Sequence, residues 1–198
     1  IAGHKAGRAA IKAARSDLPV GVSLAILDEQ AVGKNSLRDA RRLRLYERWL
    51  EAVRGDDFLG VQNYERSVWT DKGKLPPPTG SRINSLGSEV YPPSLAGAVR
   101  YAHKVSGCPI IVTEHGVGTD DDTVRAWLIP EALTELKRAM DDGVPVKGYL
   151  HWSLVDNFEW VFGYRIHFGL HTLNRQTFER KPKPSARVLS EIARRNSL

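Results

Sequence analysis

Apolar positions along the chain fall into two rhythms. In four short runs they crowd together: "PVGVSLAIL" at 19–27, "DFLGVQNY" at 57–64, "PIIVTEH" at 109–115 and "VKGYLHWSL" at 146–154. Such runs, rich in β-branched residues, read as strands of a sheet. Between them the apolar residues return every three or four positions. Leu43, Tyr46, Trp49, Leu50 and Val53 do so within "SLRDARRLRLYERWLEAVRG", where Ser36 can cap the start and Gly55 can end the helix. Ile129, Ala132, Leu133, Leu136 and Met140 repeat in the same way before Gly143, predicting a helix over "IPEALTELKRAMDDG". "SLAGAVRYAHKVSG", "PSARVLSEIARR" and the opening "AGRAAIKAAR" are shorter helical patterns.

The order is one helix, then strand and helix four times over, which predicts a parallel sheet with crossover helices. No disordered linker divides it, so residues 1–198 read as a single α/β domain. The least regular part, 65–93, contains "KLPPPTG" and reads as a long loop insertion after the second strand, shaped by Tyr91 and the Pro92-Pro93 pair. The run Ile110 to Val112 is one that a parallel sheet covers on both faces.

Polar and aromatic residues gather where these strands end. Gln62, Asn63 and Tyr64 close the second, Glu114 and His115 the third, and Trp152 to Trp160 follow the fourth. In a (β/α) barrel the active site lies at that face, and four βα units make half a barrel. By itself Glu114 reads either as a catalytic carboxylate or as half of an ion pair. Tyr64, Trp152 and Trp160 have a second reading as core aromatics, although two tryptophans flanking "DNFE" on a loop-like stretch favour a site. His151 and His167 read as structural, and Trp49 and Trp127 as helix packing.

Composition narrows the classes. With 198 residues, 41% of them hydrophobic, the chain is rich enough in aliphatics to form a core. No run nears the roughly 18 apolar residues of a membrane span, and the opening lacks a secretory pattern, so a cytoplasmic protein without membrane contact is expected. The single Cys108 fits a reducing compartment and offers neither a disulfide nor a thiol metal site. A net charge of +6, with clusters "RRLRLYER" and "RKPKPSAR", raises nucleic acid as a partner. These residues interleave with apolar ones as solvated helix faces do, and no nucleic-acid motif accompanies them.

"VTEHG", "GDDFLGVQNYERS" and "GYLHWSLVDNFEWVFGYRIHFGL", with "GSEVYPPSL" and "RKPKPSARVLSEI" in the same order, together resemble the C-terminal half of family 1 glycoside hydrolases, the β-glucosidase family. The resemblance implies a (β/α)8 TIM-barrel fold, of which this chain holds about the last four βα units. It implies a retaining β-glycosidase acting on small β-glucosides or oligosaccharides, with no metal and no cofactor. Glu114 then matches the nucleophile and Tyr64 the tyrosine that hydrogen-bonds it, while Gln62 stands where the family commonly has Asn. Trp152 matches the indole beneath the sugar, Glu159 the carboxylate gripping its outer hydroxyls, and Trp160 and Phe168 the aromatics beside it.

Two departures follow. His115 replaces the Asn that commonly comes after the nucleophile. No Asn-Glu-Pro motif, the family's acid/base, occurs in the chain, and Glu65 and Asp156 have no evident claim to that role. A half barrel is also expected to leave open edges at its first and last strands, at 20–26 and 146–153. Three readings of that state remain open: pairing with a complementary N-terminal half, self-association into a pseudo-barrel, or a piece of a longer protein. The alternative function is a non-catalytic sugar-binding or partner-binding remnant of a glycosidase barrel.

Overall fold

The computed structural model describes residues 1–197 and builds them on a four-stranded parallel sheet. Helix α1 (Ala2–Ala14) leads into β1 (Gly21–Ala25) and a short β2 (Asp28–Ala31). A continuous helical stretch follows: α2 (Arg38–Arg42), a π-helical turn (Leu43–Glu47) and α3 (Arg48–Ala52). Then come β3 (Phe58–Asn63), β4 (Arg66–Trp69), α4 (Ser94–Ser106), β5 (Ile110–His115), α5 (Asp122–Asp141) and β6 (Val146–Tyr149). A small antiparallel pair, β7 (His171–Leu173) and β8 (Arg180–Pro182), precedes α6 (Pro184–Arg195). The main sheet runs β1-β3-β5-β6, each neighbour reached through a helical crossover, so β1 and β6 are its two edges.

The sheet is packed on one face. Leu59, Val61, Ile110 and Val112 are fully buried with Leu95, Val99 and Leu128 from the helices above. The other face is concave and small-residued. Ser23 is exposed there, its hydroxyl 2.5 Å from that of Thr113, and Gly60 lies so close that a Cβ would sit 2.9 Å from the Ser23 Cα. The expectation of a strand covered on both faces is therefore corrected. Ile111, between buried Ile110 and Val112, is only half-buried, because four strands curve round an open side.

Local chemistry moves other boundaries. Helix α5 starts at Asp122, seven residues before the expected Ile129, where the Asp121 carboxylate caps the Thr123 amide at 2.9 Å. Pro130 lies inside this helix.

The parallel pair β2–β4 is absent from the hydrophobic pattern because its first strand reads "DEQA". Asp28 and Glu29 are nonetheless buried, Gln30 donating to Asp28 at 2.6 Å and the Trp69 indole to Glu29. Segment 65–93 thus begins with an ordered strand. Arg66 braces it through Glu89, at 2.8 and 3.0 Å, with its guanidinium 3.6 Å over the Tyr91 ring. Two charges of the basic cluster serve packing: Arg41 lies over Trp69 and Arg42 over Tyr101, at 4.8 and 4.0 Å. Among the described residues no helix is long and apolar enough to cross a membrane.

Candidate active site

The register between β3 and β5 slips where the site begins. Leu59, Gly60 and Val61 pair with Ile110, Ile111 and Val112, but the next residue, Gln62, pairs with Glu114, leaving Thr113 as an extra residue. Such irregularities re-aim a side chain, and here the result is Glu114 beside Gln62. The Gln62 amide donates to Glu114 Oε1 at 2.9 Å, and the Tyr64 hydroxyl donates to Oε2 at 2.5 Å. Both carboxylate oxygens therefore have a donor, which fixes their aim. Burial, and then the bond to Glu114, raise the Tyr64 phenol well above its ordinary value, with the Glu159 charge adding to the effect. Tyr64 stays a donor. Phe168 meets the Tyr64 ring edge-on, with centroids 5.6 Å apart.

A second group comes from beyond β6. The Trp152 indole donates to Glu159 Oε1 at 3.1 Å, and Glu159 is buried. The peptide bond Trp152-Ser153 is cis. Gly116 joins the two groups: a Cβ on it would lie 1.9 Å from the Trp152 carbonyl oxygen, so no other residue allows the end of β5 to approach so closely. The Trp152 amide donates to the His115 carbonyl at 2.9 Å, and the Ser153 amide to the Phe168 carbonyl at 3.3 Å. The structure thus gathers Gln62, Tyr64, Glu114, Trp152, Glu159 and Phe168. Trp160 stands apart, 82% exposed at the start of a single 3-10 turn (Trp160–Phe162), with φ at +48°.

His115 is wholly enclosed. Its Nδ1 lies 2.9 Å from the Tyr149 hydroxyl, which lies 3.1 Å from Nδ1 of His151. Burial pushes His115 down to about 4 and His151 down to about 3, the latter helped by the neighbouring His115 and Arg125 charges. Both rings are neutral near pH 7, so the Tyr149 hydroxyl donates to one and accepts from the other. Among the described residues Asp156 is committed elsewhere, accepting from the Gly169 amide at 2.8 Å and Lys183 at 2.9 Å. No group of three or more metal-ligating side chains is found among the described residues.

Sequence reasoning missed Arg125. Its side chain is fully buried, paired with Asp122, and its Nη2 donates to the carbonyls of Thr119 at 3.0 Å and His167 at 2.7 Å. It ties the loop after Glu114 to the segment carrying Phe168. The signal was present: Arg125, Leu128, Ile129 and Ala132 form one helical stripe, and an arginine on an otherwise buried stripe needs partners.

A carboxylate held by two donors, with an indole-bound carboxylate nearby, thus lies at the C-terminal ends of parallel strands, the face where a (β/α) barrel carries its active site. Comparisons with known proteins show the family. The profile of Glycosyl hydrolase family 1 matches residues 57–198. A beta-galactosidase of Pyrococcus woesei is 33% identical over 170 residues, covering 74% of this chain and 33% of that protein. Beta-glucosidase 44 of Arabidopsis thaliana is 37% identical over 185 residues, covering 76% and 36%. The crystal structure of beta-glycosidase BGL167 matches with TM-score 0.91 and 45% identity over 98% of this chain and 47% of that one. The beta-glycosidase of Thermosphaera aggregans matches with TM-score 0.90 and 30% identity over the same shares, 98% and 47%. The chain belongs to glycosyl hydrolase family 1. It spans about half the length of these solved relatives, and its four-stranded sheet is a part of their barrel.

Proposed function

We propose that this chain carries the nucleophile half of a retaining β-glycosidase site for small β-glucosides. The observation that carries the reading is the two-donor clamp on Glu114, by Gln62 at 2.9 Å and Tyr64 at 2.5 Å. A nucleophilic carboxylate must be aimed at the reacting carbon, and two donors fix that aim. Glu114 attacks the anomeric carbon, forming a glycosyl ester as the aglycone oxygen leaves, and water then releases the sugar. Tyr64 and Gln62 orient Glu114. Trp152 offers its flat face to the sugar, Glu159 accepts from sugar hydroxyls and Phe168 flanks them, while Trp160 lies exposed outside this cluster. We place the protein in the cytoplasm, on the strength of its single, buried thiol.

The general acid that protonates the aglycone oxygen, a step contributing about 10²- to 10⁴-fold, has no counterpart in this chain, which lacks Asn-Glu-Pro. Asp156, bound to Lys183, is not free to act as an acid, and a second reading has the half-site binding sugar without turnover. The test is incubation of the chain with an activated aryl β-glucoside, which needs little acid assistance. Release of the aryl group, and a glycosyl adduct on the Glu114 peptide by mass spectrometry, are expected, with both lost in Glu114→Gln. Saccharide binding that survives Glu114→Gln, with neither adduct nor hydrolysis in a folded sample, would establish the second reading instead.

A further inference from the structure

Apart from the cluster around Glu114, three segments of the chain enclose a second concavity, of about 350 Å³. The loop after β5 contributes Asp120, the stretch after β6 contributes Asp156 and Tyr164, and the β7–β8 pair with the residue that follows it contributes Thr172, Arg175 and Lys183. None of Gln62, Tyr64, Glu114, Trp152, Glu159 and Phe168 lines it. Leu173 is its one aliphatic lining residue, so this cavity is polar where most small-molecule sites are apolar. Its floor holds unspent hydrogen-bonding capacity. Asp156 and Lys183 meet at 2.9 Å with side chains each 14% exposed. Oδ1 of Asp156 accepts from Lys183 and from the Gly169 amide at 2.8 Å, whereas Oδ2 has no protein partner among the described residues. Lys183 Nζ keeps two protons beyond the one it gives Asp156. Groups so enclosed meet little bulk water, and what they have left to offer opens into the cavity they line. Arg175 adds a planar fork of donors. Its guanidinium lies 4.6 Å over the Tyr164 ring, which Phe158 meets edge-on at 5.3 Å, so the fork has less freedom to lose on binding.

Charge balance selects the ligand. Two carboxylates, Asp120 and Asp156, share the wall with two cations, Lys183 and Arg175, so its formal charge is zero with His167 counted neutral. An anion drawn to Arg175 and Lys183 meets both carboxylates, and a cation drawn to the carboxylates meets both cations. Neither gains. A sugar hydroxyl both donates and accepts, so neighbouring hydroxyls of one ring can give to Asp156 Oδ2 and take from Arg175 and Lys183 through charge-assisted hydrogen bonds. The unpaired hydroxyl of Thr172, exposed on β7, suits the same chemistry. We propose that this cavity is a second saccharide-binding site, distinct from the cluster around Glu114, and that its ligand is a neutral sugar unit. Because no member of that cluster lines it, the site is independent of whether Glu114 is a nucleophile.

The experiment is titration of the full, isotope-labelled chain with methyl β-D-glucopyranoside, and in a separate arm with inorganic phosphate, read by the amide resonances of Thr119, Thr172, Leu173 and Arg175. Saturable shifts of these amides with the glucoside, and none with phosphate, are expected. The shifts are expected to persist in Glu159→Gln, which removes a carboxylate of the other cluster and so separates the two sites. Arg175→Ala is expected to weaken the response about tenfold or more, the effect of one hydrogen bond to a charged group. Thr172→Trp, which fills the cavity from an exposed position, is expected to abolish it while the resonances of the sheet stay in place. No saturable shift at these amides, a response to phosphate in place of the glucoside, loss of the shifts in Glu159→Gln, or titrations of Arg175→Ala and Thr172→Trp that match the wild type would each overturn the proposal. Aryl β-glucoside hydrolysis is read separately, and its absence refutes the proposed reaction while leaving this site intact.

Discussion

Acidification from pH 7 to pH 5 is expected to weaken the folded chain through His115 and His151. The folded state holds His115 down to about 4 and His151 down to about 3, against an ordinary value of 6.5. Above 6.5 both states of the chain keep these rings neutral, and stability is at its full value. Below it the unfolded chain takes up protons that the folded chain refuses, so stability falls as pH falls toward the folded values. One group costs about 1.4 kcal/mol per pH unit, hence about 2 kcal/mol each at pH 5 and about 4 kcal/mol for the pair. Asp28 acts in the opposite sense, because burial raises its carboxyl and the folded chain takes up that proton first. Urea unfolding at pH 7, 6 and 5 measures the sum. His115→Asn, which keeps an acceptor for the Tyr149 hydroxyl, isolates one ring and is expected to remove about 2 kcal/mol of the pH dependence. The same pH dependence in variant and wild type would refute the reasoning.

Tyr64→Phe removes the shorter of the two bonds to Glu114 and is expected to slow glycosyl adduct formation about 10- to 100-fold, the effect of a hydrogen bond to a charged group, in time-resolved mass spectrometry. Arg125→Met leaves the carbonyls of Thr119 and His167 without their donor and is expected to cost about 3–5 kcal/mol in urea unfolding; a loss under 1 kcal/mol would mean these loops are held otherwise. Gly116→Ala forces a methyl group against the Trp152 carbonyl and is expected to cost about 1–3 kcal/mol. It should also slow adduct formation, since the ends of β5 and β6 must part; unchanged stability would show that they yield without strain.

Strand and helix rhythm alone placed β1, β3, β5 and β6 and their crossovers, because each carries enough aliphatic residues to mark itself. The β2–β4 pair escaped because burial there falls on Asp28 and Glu29, whose partners Gln30 and Trp69 are chosen by folding and not by local pattern. The candidate site residues were named by motif, whereas their arrangement was not legible. Nothing in "IIVTEH" announces that Thr113 lies outside the pairing, nor that Gly116 sits against Trp152 from the segment beyond β6. Arg125 stood on a legible helical stripe, but the carbonyls of Thr119 and His167 that it binds have no signature in sequence.

The slip at Thr113 has a bearing on how such a site tolerates change over evolutionary time. Side chains on a strand alternate between faces, so the partner of every residue after the slip depends on how many residues precede it. Exchanging Thr113 for another small β-branched residue leaves that count alone. Deleting it shifts Glu114 and His115 by one place and swaps their faces, although every functional side chain survives in the sequence. Drift by substitution is thus open to this stretch, while drift by insertion or deletion is closed. A sequence in which the glutamate is intact but the spacing to the strand has changed should be read as having lost the site.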